Sequence, residues 1–236
     1  MAQLSDRLNR LAPSATLAMS QKSNEMKAQG IDVINMSVGE PDFNTPEHIK
    51  EAGKKAIDDN FSKYSPVPGY MDLREAIVEK LKKENHLDYT TGEVIVGTGG
   101  KQGVCNTILA LVNPGDEVII PAPYWVSYPQ MTKLAGGTPV IVRAGFEQDF
   151  KMTADQLEAA ITPKTKMLIL CSPSNPTGSV YSQEELNALA QVILKHDDVF
   201  VLSDEIYEHI NYVGKTASIA NYPGMKERTI ICNGVS

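Results

Sequence analysis

Short apolar runs alternate with amphipathic stretches along most of this 236-residue chain, and this alternation restricts the fold more than any other feature. The apolar runs predict strands at 93–97, 117–121, 138–142, 166–170, 199–203 and 229–232. The amphipathic stretches predict helices at roughly 47–60, 70–86, 101–112, 125–135, 153–161 and 182–196. The pattern is typical of an α/β fold in which helices sandwich a mostly parallel sheet. Ligands bind such sheets at the carboxyl ends of the strands, so the residues that follow each strand are candidates for a site.

The charge balance argues against nucleic acid and membrane surfaces as partners. The chain carries 22 basic and 29 acidic residues, which gives a net charge of -7. Its three cysteines lack the spacing of metal ligands, so we predict buried free thiols in a reducing compartment and no metal site. No apolar run reaches transmembrane length and the N-terminus lacks a signal-peptide pattern, so we predict a cytoplasmic protein.

Two strand ends carry residues that suit a flat, phosphorylated ligand. Gly99, Gly100 and Lys101 follow the first predicted strand and open a helix, where backbone amides and the helix dipole attract phosphate. A tight turn with a solvated lysine would have the same sequence. Trp125, the only tryptophan, follows the second strand and could stack on an aromatic ring. A core or interface position is the alternative for Trp125.

Two further strand ends carry polar groups. Asn175 lies between two prolines, so its backbone has little freedom, and the Asn175–Pro176 bond can be cis; the alternative is an ordinary turn. Asp204 directly follows the buried run VFVLS, and Tyr207 lies one helical turn later. A carboxylate there is tolerable beside a cation such as a protonated ring nitrogen, whereas the alternative is a helix N-cap.

Taken together, the four strand ends supply what pyridoxal phosphate requires. The chain also resembles the fold-type I pyridoxal-phosphate aminotransferases, specifically the bacterial aspartate aminotransferase group. The resemblance is carried by an ordered series of motifs that spans essentially the whole chain: PSAT (13–16), SVGEPDFNTP (37–46), KYSPVPGYMDLREA (63–76), GTGGKQ (97–102), NPGDEVIIPAPYWVSYP (113–129), SPSNPTGSVY (172–181) and SDEIYEH (203–209).

The resemblance implies roles for the residues around the cofactor ring. Asp204 would pair with the pyridine nitrogen and, with Tyr207, belongs to the catalytic set. Tyr207 and Asn175 would hydrogen-bond the phenolic oxygen of the ring, and Trp125 would stack on the ring. Trp125 and Asn175 would also contact the substrate.

The remaining roles concern the phosphate and the substrate carboxylate. Gly99, Gly100 and Lys101 match the phosphate-binding turn. Tyr64 matches a tyrosine that reaches the phosphate of the neighbouring subunit, which implies a homodimer in which Tyr64 acts in trans. Gly39 matches a glycine whose backbone touches the α-carboxylate of the substrate.

The implied activity is transfer of the amino group of L-aspartate to 2-oxoglutarate through a pyridoxal-phosphate aldimine, in a ping-pong mechanism. Alanine or aromatic amino acids remain alternative donors. A non-catalytic, aminotransferase-like sensor domain is a second possibility. A nicotinamide-dependent dehydrogenase is disfavoured because no GxGxxG follows the first strand.

The resemblance also predicts how the chain is divided. Residues 1–46 would form an N-terminal arm and a segment of a small domain that is mostly missing, and residues 47–236 a cofactor-binding large domain incomplete at its C-terminal end. The Schiff-base lysine is expected directly after Ser236, and the arginine that binds the substrate carboxylate further on. Ala12 stands where relatives that accept prephenate often carry lysine, which argues against that substrate.

Overall fold

The computed structural model describes residues 4–36, 39, 43–214 and 217–235. Eight α-helices occur in these ranges: α1 Asp6–Asn9, α2 Ala15–Ala28, α3 Glu47–Asp58, α4 Met71–Glu84, α5 Gly100–Leu111, α6 Ser127–Leu134, α7 Ala154–Ala160 and α8 Gln183–Ile193. The strands there are β1 Glu117–Ala122, β2 Thr138–Arg143, β3 Thr165–Cys171, β4 Phe200–Asp204 and β5 Thr229–Cys232. Short 3-10 turns lie at Thr91–Glu93, Phe146–Gln148, Ile219–Asn221 and Lys226–Arg228.

The strands form one parallel sheet in the order β2-β1-β3-β4-β5. Successive side chains of a strand point to opposite faces, and each face has its own core. On one face, Leu168 and Val201 pack with residues of α7 and α8 such as Leu186. On the other, Ile169 and Leu202 pack with residues of α5 and α6. The predicted α/β sandwich is therefore confirmed.

One predicted strand is wrong. Glu93 closes a 3-10 turn, and residues 94–97 pair with none of the described strands. Val94 does have extended backbone angles, with φ −114° and ψ 129°. An extended segment becomes a strand only when a neighbour accepts and donates its backbone hydrogen bonds. No such neighbour lies beside it in the described chain, and Ile95 is 81% exposed.

Backbone contacts divide the chain into two compact units. Pro13–Tyr70 forms one, and the described residues of Met1–Ala12 and Met71–Ser236 form the other, which contains the whole sheet. The predicted boundary at residue 46 remains a prediction. None of the helices in the described ranges combines the length and apolar character needed to cross a bilayer.

Candidate functional site

The carboxyl ends of β3, β4 and β5 bring three side chains into one row. Cys171 pairs in register with Asp204, and Asp204 with Cys232. Asp204 is buried, with 6% of its surface exposed. Its Oδ2 accepts a 2.6 Å hydrogen bond from the Tyr128 hydroxyl, and its Oδ1 accepts a longer one, 3.4 Å, from the Ile206 amide. The predicted acid therefore lies at the edge where ligands of parallel sheets bind.

The Asp204 carboxyl lacks a cationic partner among the residues that the structure describes. Burial raises its pKa, and the hydrogen bonds from Tyr128 and Ile206 oppose that rise only in part. A helix N-cap would leave the carboxylate bonded mainly to backbone amides, but its shorter bond here goes to a phenol. A buried carboxyl with this environment fits a protonated ring nitrogen, which would supply the missing positive charge.

Tyr128 is a site residue that the sequence interpretation did not single out. It is buried at the start of α6, three residues after Trp125, and its ring makes an edge-on contact with the indole at 5.3 Å between centroids. Burial, followed by the neighbouring Cys171 and Asp204, raises the pKa of Tyr128, so the hydroxyl stays protonated and donates to Asp204. The i, i+3 spacing from Trp125 was the available signal.

The two thiols beside Asp204 are free cysteines. Burial, and then the nearby Asp204, raises the pKa of Cys171 to about 11 and that of Cys232 to about 12. The Cys232 Sγ donates to the carbonyl of Gly100 at 3.3 Å. A Cβ on Gly103 would lie 3.1 Å from the same sulfur. Glycine thus lets the first turn of α5 pack directly against the end of β5.

The predicted phosphate turn lies at the start of α5. Gly99 precedes the helix with a φ of 79°, a left-handed conformation that glycine adopts without strain. Lys101 is exposed, and its Nζ lies 5.4 Å from the centre of the Trp125 ring. The partly buried Trp125 packs against the core beneath. The structure thus brings the phosphate turn, the indole and, through Tyr128, the buried acid together.

Asn175 and Tyr207 also meet. The Nδ2 of Asn175 donates to the Tyr207 hydroxyl at 3.3 Å, and the Asn175–Pro176 peptide is cis. Tyr207 lies in a helical turn directly after β4, where the amide of Ile210 donates to its carbonyl at 2.8 Å. The two polar groups predicted to share one ring oxygen are therefore neighbours.

Gly39 and Tyr64 belong to the Pro13–Tyr70 unit, where both are exposed. Their predicted roles remain predictions. Residues 37, 38 and 40–42 of the SVGEPDF motif lie outside the described residues, as does Ser236. The described residues contain no cluster of three or more His, Cys, Asp or Glu side chains that could hold a metal ion.

The sequence is similar to one protein family and to individual aminotransferases over nearly its whole length. The family model described as aminotransferase class I and II matches residues 31–236. An aspartate/prephenate aminotransferase from Cereibacter sphaeroides is 54% identical over 238 residues, covering 100% of this chain and 60% of that protein. An aspartate aminotransferase from Bacillus sp. is 50% identical, covering 99% of this chain and 60% of that protein. The chain thus spans about 60% of the length of these relatives.

Solved structures show the same similarity. The aspartate aminotransferase from Rhizobium meliloti superposes with a TM-score of 0.97 at 42% identity, covering 100% of this chain and 60% of that one. The aspartate aminotransferase from Thermus thermophilus with maleate superposes with a TM-score of 0.95 at 45% identity, covering 100% and 61%.

Proposed function

The chain belongs to the aminotransferase class I and II family, whose members depend on pyridoxal phosphate, and we propose that the full-length protein transfers the amino group of L-aspartate to 2-oxoglutarate. One observation carries the proposal. Asp204 is a buried carboxyl at the end of a central strand, and its only described partners are a phenol and a backbone amide. A protonated pyridine would complete its environment.

When bound, pyridoxal phosphate supplies a pyridinium ring that draws electron density from the carbon bearing the amino group. Asp204 would hold the proton on the ring nitrogen, and the hydroxyl of Tyr128 would orient its carboxylate. Asn175 and Tyr207 would hold the phenolic oxygen, and Trp125 would cover one face of the ring and exclude water.

The phosphate would bind at the start of α5. The amides of Gly99 and Gly100 and the ammonium of Lys101 would supply local positive charge, which the net charge of -7 does not. Gly39 would contact the α-carboxylate of the substrate through its backbone. The lysine that would carry the cofactor and move the α-proton is expected directly after Ser236. A homodimer with Tyr64 acting in trans and a cytoplasmic location complete the proposal.

Prephenate is a second candidate substrate. The relatives from Cereibacter sphaeroides and Nitrosomonas europaea are named aspartate/prephenate aminotransferases. Ala12 argues against prephenate, because relatives that accept it often carry lysine at this position. The amide of Ala12 donates to the side chain of Gln130 at 3.1 Å. Assays of the purified full-length protein with 2-oxoglutarate and with prephenate as acceptors decide between them. We expect kcat/KM for prephenate to be at least about tenfold lower, and Ala12→Lys to narrow that gap.

The central test is Asp204→Ala in the full-length protein. Loss of a buried charge-assisted partner should lower kcat for aspartate by about 100-fold or more, while absorbance spectra show that the cofactor still binds. Asp88→Ala is the matched control, because the Asp88 side chain is exposed and forms a surface ion pair with Lys82. Turnover of the Asp204 variant within threefold of wild type would remove the basis of the proposal. A wild-type protein that binds the cofactor without transferring amino groups would point to a sensor.

A further inference from the structure

Glu208 is a buried carboxylate that the proposed chemistry does not use. Only 8% of the residue is exposed. Its Oε1 accepts hydrogen bonds from the Lys80 ammonium and, at 2.5 Å, from the Asn233 side chain. Its Oε2 accepts a 2.7 Å bond from the side chain of Asn85. Three donors therefore surround one carboxylate, and their charge-assisted hydrogen bonds offset the cost of burying it.

The three donors come from two separate parts of the chain. Lys80 lies on α4, Asn85 in the turn directly after α4, and Asn233 directly after β5. Glu208 itself lies in the turn after β4, next to Tyr207, and its amide donates to the carbonyl of Glu205 at 3.0 Å. The carboxylate therefore joins the turn that carries Tyr207 to the segment that leaves β5 and to α4.

The segment after β5 takes part in this contact through Asn233. The Asn233 Oδ1 accepts from the amide of Gly234 at 2.7 Å, while its Nδ2 donates to Glu208. One asparagine thus shapes the local backbone and connects it to the turn after β4. This segment continues from β5, which pairs with β4, the strand that ends at Asp204.

The charge of Glu208 is balanced locally. Burial acts to raise its pKa, but the bonds from Lys80, Asn85 and Asn233 outweigh burial and lower the pKa overall. The Lys80 ammonium also donates to the Asn85 Oδ1 at 2.8 Å. The other titratable groups that face this cluster are Glu84, at 4.0 Å from Lys80, His209, at 3.6 Å from Glu208, and the buried Glu205 one turn away.

We propose that Glu208 is a positioning residue: through Lys80, Asn85 and Asn233 it sets the distance between the turn that carries Tyr207 and the chain segment that follows β5. The proposal rests on the proposed function, because Tyr207 matters there as the partner of a ring oxygen. Glu208 does not touch the cofactor or the substrate; it acts through the backbone of its neighbours. A displacement of the Tyr207 hydroxyl by a fraction of an ångström would affect the reacting geometry more than substrate binding.

The first experiment is Glu208→Gln in the full-length protein loaded with pyridoxal phosphate. The side chain keeps its shape but loses its charge and one acceptor. We expect kcat for aspartate to fall about tenfold with KM within about twofold. The absorbance of the bound cofactor changes with pH in the absence of substrate, and we expect the midpoint of this pH titration to shift in the variant. Glu79→Gln is the matched control: Glu79 is an exposed residue of α4 in an ion pair with Lys83, and its replacement should leave kcat, KM and the midpoint unchanged.

The second experiment removes the cation. Lys80→Met leaves the carboxylate buried without its counter-charge, so it should shift the absorbance midpoint and also lower the thermal unfolding temperature. Lys80→Arg should restore the midpoint to the wild-type value. Lys82→Met, on the same helix but in an exposed pair with Asp88 at 3.2 Å, is the control. If Glu208→Gln does not fold, Asn233→Ala, which keeps the ion pair, should shift the midpoint in the same direction.

The possible outcomes separate this proposal from the proposed function. A wild-type protein that neither binds pyridoxal phosphate nor transfers amino groups overturns both. If wild type is active but the Glu208→Gln and Asn233→Ala variants lose only thermal stability, with kcat and the absorbance midpoint unchanged well below their unfolding temperatures, the cluster is purely structural. That result would refute the positioning role and leave the proposed function intact.

Discussion

Asp204 and Glu205 are adjacent buried carboxyl groups with different surroundings. Successive residues at the end of a strand point to opposite faces, so Asp204 meets the hydroxyl of Tyr128, whereas Glu205 meets those of Ser203 at 2.7 Å and Ser218 at 2.6 Å. We propose the ligand-binding role for Asp204 because it shares its register row with Cys171 and Cys232 beside the start of α5. Glu205 lies on the other face, where its partner Ser218 directly precedes the buried Ile219.

Glu205 should make the stability of the protein depend on pH. Burial raises the pKa of Glu205 to about 7, although the hydroxyls of Ser218 and Ser203 oppose the rise. Between about pH 4.5 and pH 7 the folded state keeps a proton that the unfolded state has lost, so the free energy of unfolding falls as pH rises through that window. Above pH 7 the ionised Glu205 lowers the free energy of unfolding by its full amount, on the order of 3 kcal/mol.

The measurement is the thermal unfolding temperature of Glu205→Gln and wild type at pH 5 and pH 8. At pH 8 the variant should unfold at a higher temperature than wild type. At pH 5 the two unfolding temperatures should be nearly equal, because the wild-type carboxyl is already neutral there. Glu147→Gln, at an exposed position, should show no such pH dependence. An equal difference at both pH values would mean that Glu205 is not protonated at pH 5 in the folded protein.

At the scale of elements, α8 begins with a capping box. The Ser182 Oγ accepts from the amide of Glu185 at 3.2 Å, and the Glu185 carboxylate accepts from the amide of Ser182 at 2.7 Å. The same carboxylate binds Lys151 at 2.8 Å, so the cap also links α8 to the loop before α7. Capping boxes can be predicted because all their groups lie within four consecutive residues.

Removal of this cap should destabilise the protein by a predictable amount. Ser182→Ala should lower the free energy of unfolding by about 1 kcal/mol, whereas Ser182→Gly should lower it by only a few tenths, because glycine exposes the helix amides to water. Chemical denaturation of the two variants beside wild type gives both values. If alanine proves no worse than glycine at this position, the cap contributes nothing measurable.

At the scale of the whole molecule, the proposed dimer makes a strict prediction. Tyr64 is exposed in its own unit and is proposed to complete the site of another subunit. Tyr64→Ala and Asp204→Ala proteins should each be inactive, but a hybrid dimer would contain one intact site. Random exchange of subunits should therefore restore about a quarter of wild-type activity. The measurement is the aspartate assay before and after mixing, with differently tagged subunits to count hybrids.

The control for exchange is Asp204→Ala mixed with differently tagged Asp204→Ala, which should remain inactive. Hybrids that form without any recovered activity would show that Tyr64 acts within its own subunit or not at all.

Much of the architecture followed from local patterns in the sequence. Hydrophobic periodicity located five strands and six helices, α3 to α8, to within a few residues, since apolar positions recur at a regular spacing along each element. The groups at the strand ends, such as Asp204 and Asn175, could be identified because parallel strands present their carboxyl ends at one edge.

Contacts between distant residues could not be predicted in this way. The strand expected at 93–97 does not form, because strand formation depends on a neighbour as well as on the segment itself. The bond from Tyr128 to Asp204 spans 76 positions and that from Lys80 to Glu208 spans 128. The sequence by itself determined five of the six expected strands, most of the helices and the polar groups that end those strands. The tertiary structure decided which partner each buried carboxyl has, because burial and hydrogen bonding are set by the packing of the whole unit.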